Sequence, residues 1–166
     1  MGPQEEDKEY FQECQTIIKH EHLESIVEFT GKVKIDDYLP KVDVVVLTSI
    51  SEAQPLVILE AGAAGIPTIA TDVGACREML EGLDDEETKA KGGAVIPLAN
   101  PQETATAIAA MFIDPKLYAE CSRNIQNRVK DKYDIHEKQN RYKEIYDDLI
   151  KMETKMTSSI NEQLGV

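Results

Sequence analysis

Several features that would assign a chain to a narrow class are missing from these 166 residues. The three cysteines, Cys14, Cys76 and Cys121, are widely spaced and form no Cys-x-x-Cys pair. Such spacing argues against a disulfide framework or a zinc site, and the three histidines show no ligand spacing either. No apolar run approaches the roughly 20 residues that span a bilayer. We therefore expect no metal, no disulfide and no membrane span.

Basic residues are also scarce. The chain has 18 Lys and Arg against 31 Asp and Glu, which gives a formal net charge of −13. Such a surface repels nucleic acid and anionic lipid at long range. The first residues, MGPQEEDKEY, lack the basic and apolar parts of a signal peptide. We expect a cytoplasmic protein, or the cytoplasmic part of a larger one, that has no nucleic-acid partner and holds any anionic ligand by local donors.

Short β-rich runs alternate with helical stretches along the chain. Strands are predicted at 26–30, 43–48, 68–71 and 93–97. The run at 43–48, DVVVLT, is almost continuously apolar, which predicts a strand buried on both faces. Alternating strands and helices imply a parallel sheet covered by helices, an α/β fold. We expect residues 1–166 to form one partial, Rossmann-like domain.

Helices are predicted between and after these strands. Apolar spacing and breaker residues indicate helices at 6–22, 36–41, 55–64, 75–80 and 101–112. A C-terminal helical extension is predicted at 116–156, interrupted at 131–134 and followed by a frayed tail. The segment at 83–91, LDDEETKAK, is predicted to be a charged loop.

The segment after the strand at 43–48 is the best candidate for a functional site, because ligands of parallel α/β sheets bind beyond the carboxyl ends of strands. Pro55 is predicted to begin a helix there. The first amides of a helix have no internal partner and carry partial positive charge, which suits a diphosphate without any lysine. Glu52 precedes this helix, and Glu60 lies about 8 Å along its axis from Pro55.

Glu60 is the less ordinary of these two acids, because the residues around it from Leu56 to Ala64 are apolar or glycine. A helix that is apolar almost all round is expected to be buried. A buried carboxylate is costly unless it has a partner, and a pair of sugar hydroxyls is one natural partner. The alternative is a solvated glutamate with no ligand. We expect Glu60 to be buried and to bind a ligand.

Glu52 and Glu60 have seven residues between them, which matches the E-x7-E motif of retaining glycosyltransferases with the two-domain B-type fold. The similarity runs from about Phe11 to Phe112 and includes VEFTG, VDVVVLTS, EAGAAGIPTIATD and GGAVIPLANP. The chain thus resembles the C-terminal half of a group 1, or family 4-like, glycosyltransferase. The stretch TSISEAQPLVILEAGAAGIPTIATDVGACRE is most similar to the branch that contains the Pel exopolysaccharide glycosyltransferase.

This resemblance implies a role for each candidate site residue. Glu52 would lie beside the donor sugar, and Glu60 would hold the ribose hydroxyls. The loop from Gly31 to Val33 would help to enclose the base, and Ser49 would shape the loop before the helix. Backbone amides, apart from that of proline, would contact sugar and phosphate along the stretch Ala53, Gln54, Pro55, Leu56 and Val57. The implied donor is UDP-glucose-like, and the implied reaction needs no metal or other cofactor.

The chain departs from the family pattern at three places. Ala53 stands where the family usually has glycine, which would cost about 1 kcal/mol if its φ were positive. Gly62 stands where methionine is common, which predicts looser packing. The resemblance further implies that the first two strands of the family's domain and its N-terminal acceptor domain are not part of these 166 residues. We therefore expect a requirement for that acceptor domain or for a self-associating copy.

Two classes of function remain open. The first is transfer of a sugar from a nucleotide diphosphate, with little turnover by this chain alone, because one Rossmann half cannot position an acceptor. The second is a catalytically inactive module that binds a nucleotide or associates with itself. A dinucleotide oxidoreductase is disfavoured, because no G-x-G-x-x-G follows an early strand.

Overall fold

The computed structural model describes residues 8–82 and 90–164, with side chains as far as residue 153. Residues 83–89 of the predicted charged loop therefore lie outside the described part. The chain divides into two compact units, Met1–Val42 and Asp43–Val166, and each is described by itself.

The first unit contains two helices, α1 (Lys8–His20) and α2 (Ile35–Tyr38), and a 3₁₀ turn at Leu39–Lys41. The helical predictions at 6–22 and 36–41 are confirmed. The predicted strand at 26–30 is wrong, because Ile26 belongs to a turn in which its amide donates to the Leu23 carbonyl at 2.9 Å, and residues 27–30 form no strand. A strand requires a hydrogen-bonded neighbour, and none of the described residues supplies one at 26–30.

The second unit contains a sheet of three parallel strands, β1 (Val45–Leu47), β2 (Thr68–Thr71) and β3 (Gly93–Ile96), in the order β1-β2-β3. The α/β fold with a parallel sheet is confirmed. The central strand β2 is buried along its whole length. The prediction that 43–48 is buried on both faces is wrong, since Val46 is 41% exposed. Within the described residues, β1 has a neighbouring strand on one side only.

Among the described residues of this unit, five helices accompany the sheet: α3 (Leu56–Ala63), α4 (Cys76–Glu81), α5 (Pro101–Ile113), α6 (Pro115–Lys132) and α7 (Ile135–Leu164). Asn100 caps α5, and its Oδ1 accepts a hydrogen bond from the Glu103 amide at 3.0 Å. The interruption at 131–134 is confirmed as the junction of α6 and α7. The tail predicted to fray is instead helical as far as Leu164. None of the described helices is long and apolar enough to span a membrane.

The core of the second unit lies on both faces of the sheet. Ile69 and Ala70 are consecutive in β2, so their side chains point to opposite faces. Ala70 belongs to a buried cluster with residues of α3, α4 and α6, which are Ile58, Cys76, Met79, Leu80 and Ile125. Ile69 belongs to a second cluster, with Ile96, Met111 and Cys121. Helices therefore cover both faces of the sheet, as a Rossmann-like arrangement requires.

Polar side chains of α6 fix the segments on either side of it. The Ser122 hydroxyl donates to the Gly65 carbonyl at 2.6 Å, just after α3 ends. The Asn124 amide donates to the Lys91 carbonyl at 3.1 Å, just before β3 begins. Gly65 has a φ of +75°, as expected for a glycine that stops a helix. These bonds provide hydrogen-bond partners for two carbonyls that lie just outside α3 and β3, where the regular backbone bonding of these elements does not reach.

Gly62 permits close packing of α3 on α6. A Cβ at this position would lie 2.7 Å from the side-chain carbons of both Ile125 and Val129. The prediction that Gly62 loosens the packing is therefore wrong, because the missing side chain lets the two helices approach each other. Helix α3 is held by this contact in a fixed position beyond the end of β1.

Buried ionisable groups make the stability of this unit sensitive to alkaline pH. Burial raises the pKa of the Cys76 and Cys121 thiols and of the Tyr118 phenol above their ordinary values of 9.0 and 10.0. A pKa that is higher in the folded state means that the folded protein holds its proton more tightly, so this stabilisation is complete below the unfolded pKa and is lost as the pH rises through the folded pKa. We expect the free energy of unfolding, measured by urea denaturation, to fall progressively above about pH 9.

A variant that carries both Cys76→Ala and Cys121→Ala supplies the comparison for this prediction. Its free energy of unfolding should be lower at neutral pH, because methyl-sized cavities replace two buried sulfur atoms. Its decline between about pH 9 and 11 should be shallower than that of the original chain. Equal slopes for the two proteins would show that the thiols do not contribute.

Candidate functional site

The candidate site lies where β1 and β2 end. Because the strands are parallel, their carboxyl ends meet at one edge of the sheet. The loop at 48–54 leaves β1 there and leads into α3. Thr71, the last residue of β2, is 3% exposed, and its hydroxyl donates to the Ser49 carbonyl at 2.6 Å. The Thr71 side chain thus joins the ends of two neighbouring strands, although Thr71 and Ser49 are 22 residues apart in the sequence.

Glu52 is held inside this loop by its side chain. It is partly buried, and its Oε1 accepts a hydrogen bond from the Ser49 hydroxyl at 2.6 Å. This distance is typical of a hydroxyl that donates to an ionised carboxylate, which is one of the stronger hydrogen bonds in proteins. Two of the predicted site residues, Ser49 and Glu52, are therefore in direct contact.

The backbone of Glu52 rests on the loop that follows β2. Gly74 has a φ of +51°, and a Cβ there would lie 2.0 Å from the Glu52 carbonyl oxygen. The Ala75 amide donates to the Ala53 carbonyl at 2.9 Å. The sequence pattern indicated no role in the site for Thr71. Both contacts join distant parts of the chain, so no local pattern could have revealed them.

Helix α3 begins next to these residues. Pro55 is its N-cap, so the helix begins at Leu56, one residue later than predicted, and no side chain of the described residues caps it there. The Ile58 amide donates to the Pro55 carbonyl at 3.2 Å, so the amides of Leu56 and Val57 precede the first bond of the helix. Gln54 and Leu56 are exposed, and Val57 is partly buried. This helix terminus can therefore present amide donors to a ligand.

Glu60 is exposed, and the prediction that it is buried is wrong. Sheet and α6 cover the side of α3 that carries Ile58, Ala61 and Gly62. The opposite side, with Leu56 and Glu60 four residues apart, faces outward. Burial therefore gives no reason to require a ligand for Glu60. The carboxylate lies instead on the open face of α3, one turn beyond the uncapped terminus.

Ala53 causes no backbone strain. Among the described residues other than glycine, a left-handed φ occurs at His22 and Ala99, so Ala53 has an ordinary backbone conformation. The cost considered for replacing the family's glycine is therefore absent. Gly31, with a φ of +67°, and Val33 lie in the first unit, where both are partly buried. Their predicted contact with a base stays a prediction.

Two cavities adjoin this region of the second unit. One of about 610 Å³ opens at the ends of all three strands, and its mostly apolar lining includes Thr48, Ile50, Thr71, Pro97 and Leu98. The other, of about 670 Å³, extends from Gln54 towards the junction of α6 and α7. In residues 8–82 and 90–164, no three His, Cys, Asp or Glu side chains form a group that could hold a metal ion.

The fold and this edge of the sheet define the class of protein as a Rossmann-like α/β domain with a candidate ligand site beyond the carboxyl ends of its strands. Residues 1–114 match the model of the family described as "Glycosyl transferases group 1". Because this match covers more than half of the chain, the protein belongs to the group 1 glycosyltransferases.

Individual relatives agree with this assignment. The chain is 26% identical over 136 residues to N-acetyl-alpha-D-glucosaminyl L-malate synthase of Bacillus anthracis, a match that covers 81% of this chain and 34% of that protein. It superposes on Anabaena Alr3699/HepE in complex with UDP with a TM-score of 0.75 at 25% identity, covering 85% of this chain and 37% of that one. The same protein in complex with UDP-glucose gives a TM-score of 0.75 at 24% identity, covering 87% and 38%. The chain therefore spans about a third of the length of these relatives.

Proposed function

We infer that this chain is the donor-binding part of a retaining glycosyltransferase that uses a nucleotide-diphosphate sugar, UDP-glucose-like in kind. The proposal extends to cytoplasmic exopolysaccharide synthesis, on the resemblance of the residues from Thr48 to Glu78 to the Pel branch. The observation that carries the proposal is the arrangement at the end of β1, where a fixed Glu52 carboxylate adjoins the uncapped terminus of α3.

The negative charge of the chain makes local hydrogen-bond donors necessary for binding a diphosphate. With a net charge of −13, the protein as a whole repels a diphosphate. Local donors must therefore supply the attraction, and the leading amides of a helix do so by hydrogen bonding and through the helix dipole. We assign the diphosphate to the amides of Ala53, Gln54, Leu56 and Val57.

The two glutamates take different parts of the donor. Glu52 would accept hydrogen bonds from the sugar hydroxyls, since an ionised carboxylate is an acceptor with two oxygens. Glu60, on the outer face of α3, would bind the ribose hydroxyls. Gly31 and Val33 would contact the base. The binding of UDP-glucose by the structural relative HepE supports a donor of this kind.

The proposed reaction follows from the same groups. As the bond between the sugar and the diphosphate breaks, negative charge develops on the leaving phosphate, where fixed amide donors stabilise it more than they stabilise the intact donor. The acceptor would attack on the face that the leaving group departs from, so the configuration is retained without a side-chain nucleophile. The resemblance implies that no metal ion takes part.

The acceptor must be positioned by residues beyond those described, either in an N-terminal acceptor domain or in a second copy of this chain. A second candidate function is a catalytically inactive module that binds a nucleotide or associates with itself. The observation that favours it is the set of exposed apolar residues on α7, namely Tyr142, Ile145, Tyr146, Leu149 and Ile150.

Isothermal titration calorimetry with UDP, UDP-glucose and GDP distinguishes these functions. We expect saturable heat with UDP and UDP-glucose and weaker binding of GDP, without any requirement for Mg²⁺. Sedimentation of the same samples reports the oligomeric state. Absence of heat with all three nucleotides, together with a stable dimer, would favour a self-association module and contradict the donor-binding function.

A further inference from the structure

We propose that Ser49 and Thr71 are positioning residues that hold the Glu52 carboxylate in one orientation towards the donor sugar. This inference rests on the proposed function, because it assigns Glu52 to the sugar part of the donor. Neither residue needs to touch the donor through its own side chain in order to act in this way.

The hydrogen bonds form a chain from the core to the carboxylate. Thr71 is almost fully buried at the end of β2, and its hydroxyl donates to the Ser49 carbonyl at 2.6 Å. The hydroxyl of the same Ser49 donates to Glu52 Oε1, also at 2.6 Å. A central, fully buried strand therefore fixes the backbone of Ser49, and Ser49 fixes the carboxylate.

A separate contact fixes the backbone of Glu52. Gly74 lies directly against the Glu52 carbonyl oxygen. Ala53, the residue after Glu52, is fixed because its carbonyl accepts a hydrogen bond from the Ala75 amide. Main chain and carboxylate of Glu52 are thus held from two sides. A long glutamate side chain in a loop would otherwise sample several rotamers, and ordering it on binding would weaken the affinity. One oxygen, Oε1, is used by Ser49, which leaves Oε2 to accept hydrogen bonds from a sugar.

A local loop contact alone would predict a different behaviour. Ser49 and Glu52 are three residues apart, so their bond could serve only to stabilise the turn. In that case its removal would lower the stability of the protein and affect all ligands alike. If Ser49 positions Glu52 at the sugar, removal of the Ser49 hydroxyl must weaken the binding of UDP-glucose more than the binding of UDP. The reason is that UDP lacks the sugar that Glu52 is proposed to contact.

The test compares the affinities for UDP-glucose and UDP by calorimetry in Ser49→Ala and Ser49→Thr. Ser49→Ala should lower the affinity for UDP-glucose roughly tenfold and the affinity for UDP by less than about twofold, as expected for loss of a hydrogen bond to a charged group. Ser49→Thr keeps the hydroxyl and should restore most of the selectivity. Thr71→Val should resemble Ser49→Ala, and Thr71→Ser should resemble the original chain.

Ser122→Ala is the matched control, because it also removes a serine hydroxyl that donates to an acceptor at 2.6 Å, but at the far end of α3. It should lower stability without changing the ratio of the two affinities. Equal losses of UDP and UDP-glucose in Ser49→Ala, or no rescue by Ser49→Thr, would overturn the positioning role while leaving UDP binding intact. Failure of the unaltered chain to bind either ligand would instead reject the proposed function.

A second measurement does not depend on any ligand. Side-chain NMR couplings of Glu52 report whether it occupies one rotamer or averages over several. We expect one rotamer in the original chain and in Ser122→Ala, and averaging in Ser49→Ala. Identical couplings in all three proteins would overturn the positioning role even if no nucleotide binds.

Discussion

Gly74→Ala should lower the free energy of unfolding by about 2–5 kcal/mol and should also abolish donor binding. The left-handed φ of +51° costs a residue with a side chain about 1–2 kcal/mol. The new Cβ would in addition lie 2.0 Å from the Glu52 carbonyl oxygen, so the backbone of the loop must move. Overpacking of this kind typically costs about 1–3 kcal/mol more. Urea denaturation measures the first effect, and calorimetry with UDP-glucose measures the second.

Gly65→Ala provides the matched control, because Gly65 also has a left-handed φ, of +75°. A Cβ there would meet the Ser122 hydroxyl at 3.3 Å, and no backbone atom lies closer. This variant should lose only the conformational term of about 1–2 kcal/mol and should bind UDP-glucose normally once folded. Equal destabilisation by the two substitutions would contradict the steric role of Gly74 beneath Glu52.

Glu60→Gln should weaken UDP binding about tenfold to a hundredfold with little effect on stability. A hydrogen bond to a charged group contributes about 1.5–3 kcal/mol. The uncharged glutamine amide keeps only one of the two acceptor oxygens of the carboxylate. Because Glu60 is exposed on α3, its substitution should change the free energy of unfolding by less than about 0.5 kcal/mol. Calorimetry with UDP and thermal denaturation of the same protein test both parts.

Glu120→Gln is the control for the change of charge, since Glu120 is an exposed glutamate of α6. It alters the net charge by the same amount and should leave UDP affinity within about twofold, because screening weakens contributions from exposed, distant charges. Unchanged UDP affinity in Glu60→Gln would remove Glu60 from the site. Equal weakening by both variants would indicate a general effect of charge.

Local sequence patterns predicted most elements of the second unit. The strand pattern of β2 and the residues that break the chain between α5 and α6 are signals within a few residues of the structure that they specify. The same holds for Gly65, which ends α3. The segment at 26–30 also has a strand pattern, but pairing is not a local property, and none of the described residues pairs with this segment as a strand.

The candidate site, like the fold, was predictable from the sequence only in part. The spacing of Glu52 and Glu60 and the start of a helix near Pro55 could be seen in the sequence. The burial of Glu60 could not, since an apolar composition does not reveal how many sides of α3 are covered. The direct bond from Ser49 to Glu52 was equally hidden, because several rotamers of each side chain are compatible with the same sequence.

By itself, the sequence determined the alternation of strands and helices, the excess of negative charge and the two acids on either side of a helix terminus. These depend on neighbouring residues and on composition. Only the tertiary structure decided that Gly62 brings α3 against α6, that Gly74 supports Glu52 and that Thr71 holds the loop of Ser49. Each of these contacts joins segments far apart in the chain, and their distances are fixed only when the whole unit packs together.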